Sequence, residues 1–479
     1  MPHQNIVFHE LLKHIPWAVF DRLVDEHDAD WDGRVVKSKA HLIAMLYGQL
    51  CGARSLREIE TNLKSHAGKL HHLGGRPVSR SALSSANADR PVEVFAGLLA
   101  ALMRSLQAGY RRKIADCIRL IDSTSLRLSE LSDWARFSTG VCGAKAHIIY
   151  DPDADQPLYL IVTPSNVNDI TAAKQMPIEA GATYVFDLGY YDYGWWAELD
   201  GAGCRIVTRL KSNTPFEVAQ HRAVPPGSAI LSDRTGYLPK RLAASRCNPM
   251  PGLVREVRVA IETGKVLRIF TNDIEASAQE IADLYKRRWA IELFFRWVKQ
   301  TLKIGHFLGT SENAVRIQIT VALIAFVLLR LAHDATRIVA SPLTFARLIQ
   351  SNLMLRRAVA ELLKPPPLPE PRQPKFNFGP APRAPPGDAA SIAPPTLPPR
   401  SPRSHEKHKP CRTLVRPTRR SRSCGMGLRS FARSRRRHRA PADWIYLNTS
   451  TVANGCADHG RKRFNVNFVF CPGWTSTSR

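Results

Sequence analysis

Tyr285-Lys-Arg-Arg-Trp-Ala-Ile-Glu292-Leu-Phe-Phe-Arg-Trp-Val-Lys299 is the stretch around which the chain is organised. No Gly or Pro occurs between Ser277 and Lys303, which predicts one long helix. At about 100° per residue, Tyr285, Arg288, Glu292 and Lys299 fall within an arc of roughly 60°, with Arg296 close beside it. Most of the remaining surface is apolar: Ile281, Leu284, Trp289, Ile291, Leu293, Phe294, Phe295, Trp297 and Val298. An ordinary surface helix has one apolar stripe and a broad polar face. Here a narrow charged stripe lies on a mostly apolar helix, and buried charges require partners. A solvated ion pair between Arg288 and Glu292, four residues apart, is the simpler alternative.

Two other acids stand where strands are expected. Ile118-Arg-Leu-Ile-Asp122-Ser-Thr-Ser-Leu-Arg-Leu is rich in β-formers and puts Asp122 mid-to-late in a buried strand. Thr183-Tyr-Val-Phe-Asp187 is a second buried strand ending in an acid, followed by Leu188-Gly189-Tyr190. Arg205 to Leu210 reads as a third strand, after a helix containing Trp195, Trp196 and Leu199. Strands alternating with helices, with acids at strand ends, indicate an α/β sheet with a site at its rim. Each acid has a simpler role: Asp122 can open a turn, and Asp187 can cap one. Asp169 and Asp192 are rival carboxylates, Asp169 being expected to cap a helix from Ile170 to Ile178.

Asp122, Asp187 and Glu292 together form the candidate triad. Three carboxylates in an apolar surround repel one another, and divalent metal relieves the repulsion. Mg²⁺ (or Mn²⁺) suits carboxylate and water oxygens, and two ions can support in-line phosphoryl transfer. Arg288 suits bidentate phosphate contacts and Lys299 a point charge. Trp289 and Trp195 can stack on a displaced base or pack in a core, which is the commoner role of such side chains.

The spacing Tyr285-x2-Arg288-x3-Glu292-x6-Lys299 resembles the signature helix of bacterial insertion-sequence DDE transposases, in the branch often called the family-four group. Asp187-Leu-Gly-Tyr190 also fits a pattern in that family. The resemblance covers residues 1–378. It implies a ribonuclease-H-like catalytic core with a β insertion, an N-terminal helical domain that binds DNA, and Glu292 as the third catalytic carboxylate. It further implies that Tyr285, Arg288 and Lys299, with Arg296 beside them, hold DNA phosphates. Metal-dependent cleavage at transposon ends, strand transfer into target DNA, a hairpin intermediate and a homodimer in a synaptic complex follow from the resemblance, not from composition. The alternatives are a metal-dependent nuclease without strand transfer, and a transposase-derived DNA-binding protein that no longer catalyses. A glycosidase-type carboxylate pair is disfavoured by the basic stripe.

The composition agrees with a DNA partner. The 479 residues carry a formal charge of +27, and strong basic excess suits a polyanion. From Pro365 onward there are 22 Lys+Arg against five Asp+Glu, so +17 lies in the tail. Nine cysteines are scattered without C-x-x-C spacing, which gives no disulfide framework or zinc site. The start, Met-Pro-His-Gln-Asn, lacks a signal-peptide pattern, and a bacterial cytoplasmic, nucleoid-associated protein is expected. The apolar run from Ile319 to Leu329 is read as a core helix, too short to span a bilayer.

The domain boundaries expected are residues 1–110, helical; 111–340, catalytic, with a β insertion at about 212–275; 341–364, a C-terminal helix; and 365–479, a Pro/Arg-rich disordered tail. That tail is either frame-shifted read-through or a basic arm that binds DNA nonspecifically. Within the first segment Ser55 and Glu58 make a capping box. Pro77 to Arg90 resembles a helix capped by Ser79 whose Ser, Asn and Arg face could meet DNA; a polar helix in a bundle is the alternative.

Overall fold

A computed structural model describes residues 5–31, 36–107, 113–224, 226–240, 247–302, 306–336 and 340–364. The expected tail, 365–479, lies outside the described residues. Seven helices come first: α1 (Val7–Leu12), α2 (Trp17–Glu26), α3 (Ser38–Cys51), α4 (Leu56–Ser65), α5 (Ala67–Leu70), α6 (Arg80–Asp89) and α7 (Val92–Gln107). Ser55 caps α4 by accepting from the Glu58 N–H at 3.1 Å, while the Glu58 carboxylate reaches back to the Arg54 N–H at 2.8 Å, one residue earlier than a capping box requires. Ser79 caps α6 as expected, accepting from the Ala82 N–H at 3.3 Å. The polar face of α6 differs from expectation. Asn87 and Arg90 are buried, Asn87 bonded to His41 at 2.7 Å and Arg90 donating to the Val36 carbonyl at 2.6 Å. Arg80, Ser81, Ser84 and Ser85 remain exposed.

The sheet follows: β1 (Ile118–Arg127), β2 (Arg136–Ser138), β3 (Val141–Asp151), β4 (Gln156–Pro164), then α8 (Asp169–Ala173), β5 (Thr183–Phe186), α9 (Tyr193–Gly201), β6 (Arg205–Arg209), β7 (Glu217–Arg222), β8 (Ile230–Tyr237), β9 (Val254–Ala260) and β10 (Val266–Thr271). The strand order is β2-β3-β1-β5-β6-β10-β9-β8-β7, with β4 paired to β3. β1, β5 and β6 run parallel at the centre, and the other pairings are antiparallel. The β3–β4 hairpin turns around Asp151, whose Oδ1 accepts from the N–H groups of Asp153 and Ala154, a local mimic of a backbone turn. The segment at 212–275 is not a separate layer. Its strand β10 pairs with β6, so the insertion prolongs the central sheet, and β7 is a strand the sequence pattern did not signal.

Alternation along the strands sorts side chains between two cores. Leu120, Ile148 and Val185 face a large cluster shared with α1–α7, whereas Ile121, Ile149 and Phe186 face a second cluster with Trp195 and Trp196 of α9. Trp196 stacks on Phe270 at 4.8 Å, and Trp195 lies 5.0 Å from Phe186. Both indoles are therefore core residues.

The last helices are α10 (Ala278–Arg287), α11 (Trp289–Thr301), α12 (Glu312–Thr336) and α13 (Pro342–Asn352). The single long helix expected over this stretch is instead α10 and α11, meeting at Arg288. The Arg288 N–H bonds to the Tyr285 carbonyl three residues back, and its torsions of −51° and −30° are 3₁₀-like. The helix expected over 341–364 stops at Asn352. The chain beyond turns back to α1, where the Val7 N–H donates to the Leu355 carbonyl at 3.0 Å. Helix α12 is long and apolar enough to cross a membrane by length and composition, yet 83% of its apolar window is buried within the protein. It is the core helix that the helical and sheet layers share.

Arg255 ties the insertion to the start of α10. Its guanidinium makes a bidentate pair with Asp233 at 2.8 and 2.7 Å and also donates to the Ala276 carbonyl. Both side chains are almost fully buried. Asp233→Ala leaves that cation unpaired and is expected to lower unfolding stability by about 3–5 kcal/mol. Urea unfolding followed by tryptophan fluorescence measures the effect, and a smaller loss is expected in Asp233→Leu/Arg255→Met.

Candidate active site

The parallel register sets the first two acids side by side. Ile118 to Ile121 of β1 pair with Thr183 to Phe186 of β5, so the next residues on the two strands are Asp122 and Asp187. Asp122 lies in mid-strand, because β1 runs on to Arg127 paired with β3, whereas β5 ends at Phe186. The Asp122 Oδ1 accepts from the Ser123 N–H at 2.8 Å. Asp187 caps the 3₁₀ turn Leu188–Tyr190, its Oδ1 accepting from the Gly189 N–H at 2.8 Å. Glu292 comes from α11, the helix that crosses β1 and packs Phe294 against Tyr150 of β3 at 4.8 Å.

Arg288 sits between two of the three. It bonds to Glu292 at 2.6 Å and lies 3.6 Å from Asp122. The 3₁₀ turn in the helix therefore falls at the residue that bridges the acids. Burial pushes the Asp122 pKa up to about 7; the Asp187 and Glu292 charges add to this, against the Ser123 N–H and Arg288. Desolvation and like charge of this kind make Asp122 a candidate functional group.

An open cleft of about 460 Å³ runs beside these groups, lined by Asp122, Thr124, Glu292, Arg296, Lys299 and Gln300. Arg296 and Lys299 are exposed, so the cleft has acids at one end and cations along α11. Tyr285 is outside this lining. It is buried, with Arg209 and Arg288 as its cationic neighbours, and the Arg288 guanidinium is 6.0 Å from its ring. Trp289, expected on the apolar face, is 55% exposed, as is Leu293, and Arg288 lies 5.9 Å from the indole. The amphipathic estimate failed there because α11 packs against β1, α12 and α13 through its other faces.

The rival carboxylates separate. Asp192 caps α9, accepting from the Trp195 N–H at 2.8 Å, and pairs with Lys174. Asp169 does not cap a helix. Asn168 occupies the N-cap position without a side-chain bond, the helix is only Asp169–Ala173, and the Asp169 carboxylate turns instead to Ser123 and Lys145, each at 3.0 Å. Ser123 and Lys145 carried no motif. The available signal was Lys145 and His147 spaced two apart in an otherwise apolar strand, which puts both on one buried face.

Among the described residues, no three His, Cys, Asp or Glu side chains close into a ready metal cage. The donor set suits a divalent metal by chemistry, being hard carboxylate oxygens from β1, the turn after β5 and α11, and here the Arg288 guanidinium is the cation near Asp122 and Glu292 while Asp187 lies outside the cleft lining.

The comparisons with known proteins agree with one another. Residues 113–328 match the transposase DDE domain, and residues 3–76 match a domain of unknown function. A protein of Sinorhizobium fredii named as transposase y4zB is 41% identical over 317 residues, covering 65% of this chain and 88% of the relative. A Geobacillus stearothermophilus protein named as the transposase of insertion sequence element IS5377 is 30% identical over 263 residues, covering 54% and 68%. The structure of a piggyBac transposase synaptic complex with hairpin DNA overlaps 73% of this chain and 78% of that chain at 10% identity and a TM-score of 0.37, too loose a likeness to bear on the fold. With sequence identity running over most of two such relatives and the DDE domain spanning the strands and helix that bear the three acids, the chain belongs to the DDE transposases of insertion sequences.

Proposed function

We propose that this transposase cleaves DNA at the ends of its insertion sequence and joins the freed strand to target DNA, with Asp122, Asp187 and Glu292 as its acidic triad on a ribonuclease-H-like core. The observation that supports this most directly is the shared cleft, in which acids from β1 and α11 meet the exposed cations Arg296 and Lys299. Its chemical partner is double-stranded DNA, both terminal repeats and target, bound by a homodimer that pairs two ends. Divalent metal, Mg²⁺ or Mn²⁺ and two ions when fully loaded, supplies Lewis-acid polarisation of the reacting phosphate and neutralises its charge.

The chain's own residues do the rest. Asp122 and Asp187 offer carboxylates from adjacent strands whose spacing the parallel register holds constant. Glu292 adds a third from α11. Lys299 and Arg296 track phosphates along the cleft as point charge and fork respectively. Arg288 is freed for phosphate when the acids acquire another cation, and buried Tyr285 supports it from behind. Helices α1–α7 form the DNA-binding segment upstream of the core, in which the exposed Arg80, Ser81 and Ser84 of α6 suit phosphate contacts.

Cleavage of a supercoiled plasmid carrying the element's own ends tests this. Nicking is expected to need Mg²⁺, to stop in EDTA, and to drop at least ~100-fold in Glu292→Gln or Asp122→Asn, the scale of losing one group that stabilises transition-state charge. End binding without nicking by the wild-type chain, also after truncation following Phe378, would favour a binder that no longer catalyses. Lys299→Ala is expected to weaken binding of all sequences alike and to reduce the salt slope by about one; fluorescence anisotropy across a salt series reads it.

Asp122 also makes stability depend on pH. In the metal-free chain the folded state keeps the Asp122 proton up to about pH 7, against an ordinary value of 3.8. Between those values the folded state binds more protons than the unfolded one, so this group withdraws stability as pH rises, and the loss is complete above 7. Asp122→Asn in EDTA is therefore expected to melt above the wild-type chain at pH 8, with the difference closing towards pH 4. Thermal melts over that range decide, and a variant melting no higher at pH 8 counts against the shift.

A further inference from the structure

Behind the acidic rim, on the other face of the sheet, lies a polar network that no step above uses. Strand alternation puts Ser123 opposite to Asp122, on the face shared with Lys145 and His147. The Asp169 Oδ1 accepts from the Ser123 hydroxyl at 3.0 Å and from the Lys145 ammonium at 3.0 Å, and the His147 Nδ1 lies 3.6 Å away. Lys145 also donates to the Val167 carbonyl at 3.1 Å. His147 is fully buried, its Nε2 2.8 Å from the Thr163 hydroxyl, and burial pushes its pKa down to about 4, with Asp169 opposing and Lys145 assisting. It is therefore neutral, and Lys145 is the cation that balances Asp169.

Both ends of this network reach the triad. Ser123 holds Asp122 through its N–H and Asp169 through its hydroxyl. Gly189 holds Asp187 through its N–H. A side chain at Gly189 would meet the Asp187 Oδ1 at 3.0 Å and the Asp169 Oδ2 at 3.3 Å, so the two carboxylates flank that glycine. Tyr190, buried next in sequence, feels the charges of Asp122, Asp169 and Asp187.

We propose that Asp169 is a positioning residue which, paired with Lys145, braces Ser123 and the Leu188–Tyr190 turn so that Asp122 and Asp187 are held together for a shared divalent cation. Asp169 does this by direct bonds to Ser123 and by contact with the turn. It also keeps the Lys145 ammonium occupied on its own face of the sheet. The inference rests on the metal-dependent reading of the triad.

Mn²⁺ binding to the full-length, DNA-free chain, followed by electron paramagnetic resonance at a temperature where each variant is folded, tests it. Asp169→Asn is expected to weaken Mn²⁺ binding 10–100-fold, the usual scale for losing a group that orients a ligand, and Lys145→Met/Asp169→Asn to bind as weakly as the single variant because the brace is absent from both. An Asp169→Asn chain that binds Mn²⁺ like wild type, or a double variant restored to wild-type affinity, overturns the proposal. If Asp169→Asn does not fold, Ser123→Ala carries the test: it removes one hydroxyl and leaves the Asp122 backbone bond, and unchanged Mn²⁺ affinity overturns the brace. A wild-type chain that binds no Mn²⁺, or binds it equally well as Glu292→Gln, overturns the metal reading of the triad and this inference with it. Tight wild-type binding with an unaffected Asp169→Asn removes only the role of Asp169.

Discussion

Everything at this site depends on one electrostatic constraint: acids are held close together where water cannot fully screen them. Asp122 is most affected. Burial and the Asp187 and Glu292 charges raise its pKa to about 7, so the protein carries the group at a cost that the surrounding fold must offset. A guanidinium between Asp122 and Glu292 relieves part of it.

The architecture serves to make that crowding rigid. Parallel pairing of β1 with β5 puts Asp122, in mid-strand, beside Asp187, the residue that follows β5. The third acid rides on α11, which packs on β1 and on α12. The region between β6 and α10 extends the same sheet, and the buried Arg255–Asp233 pair couples it to the residues just before Ser277, the cap of α10. Because α12 is buried by both the sheet and helices α1–α7, the N-terminal segment and the site share one core.

Several local features were legible in the residues. Hydrophobic runs marked β1, β5 and β6, Ser55, Ser79 and Ser277 marked helix starts, and three- and four-residue spacing marked the charged stripe of α10 and α11. Other features were misread for definable reasons. Asn87 and Arg90 look like exposed polar groups, yet buried partners, His41 and the Val36 carbonyl, are brought to them from α3 and the loop before it. Trp289 and Leu293 look like core residues, but each is 55% exposed among the described residues. Asp169 has the sequence context of a cap, yet its carboxylate is drawn to Ser123 and Lys145, which lie 46 and 24 residues away. The helix break at Arg288 has no Gly or Pro to announce it.

By itself, then, the sequence determined what short-range physics controls: which segments are strands or helices, which acids and cations share a helix face, and the charge that suits a DNA partner. Tertiary structure alone decided which acids meet. Asp122 and Asp187 become neighbours through a parallel register that no local pattern encodes, and Asp169 rather than Asp192 reaches Ser123 because β3 and α8 bring Lys145 and Asp169 to it. The physical reason is range. Propensity and periodicity act over a few residues, whereas desolvation and charge crowding depend on distances in space between groups far apart in the chain.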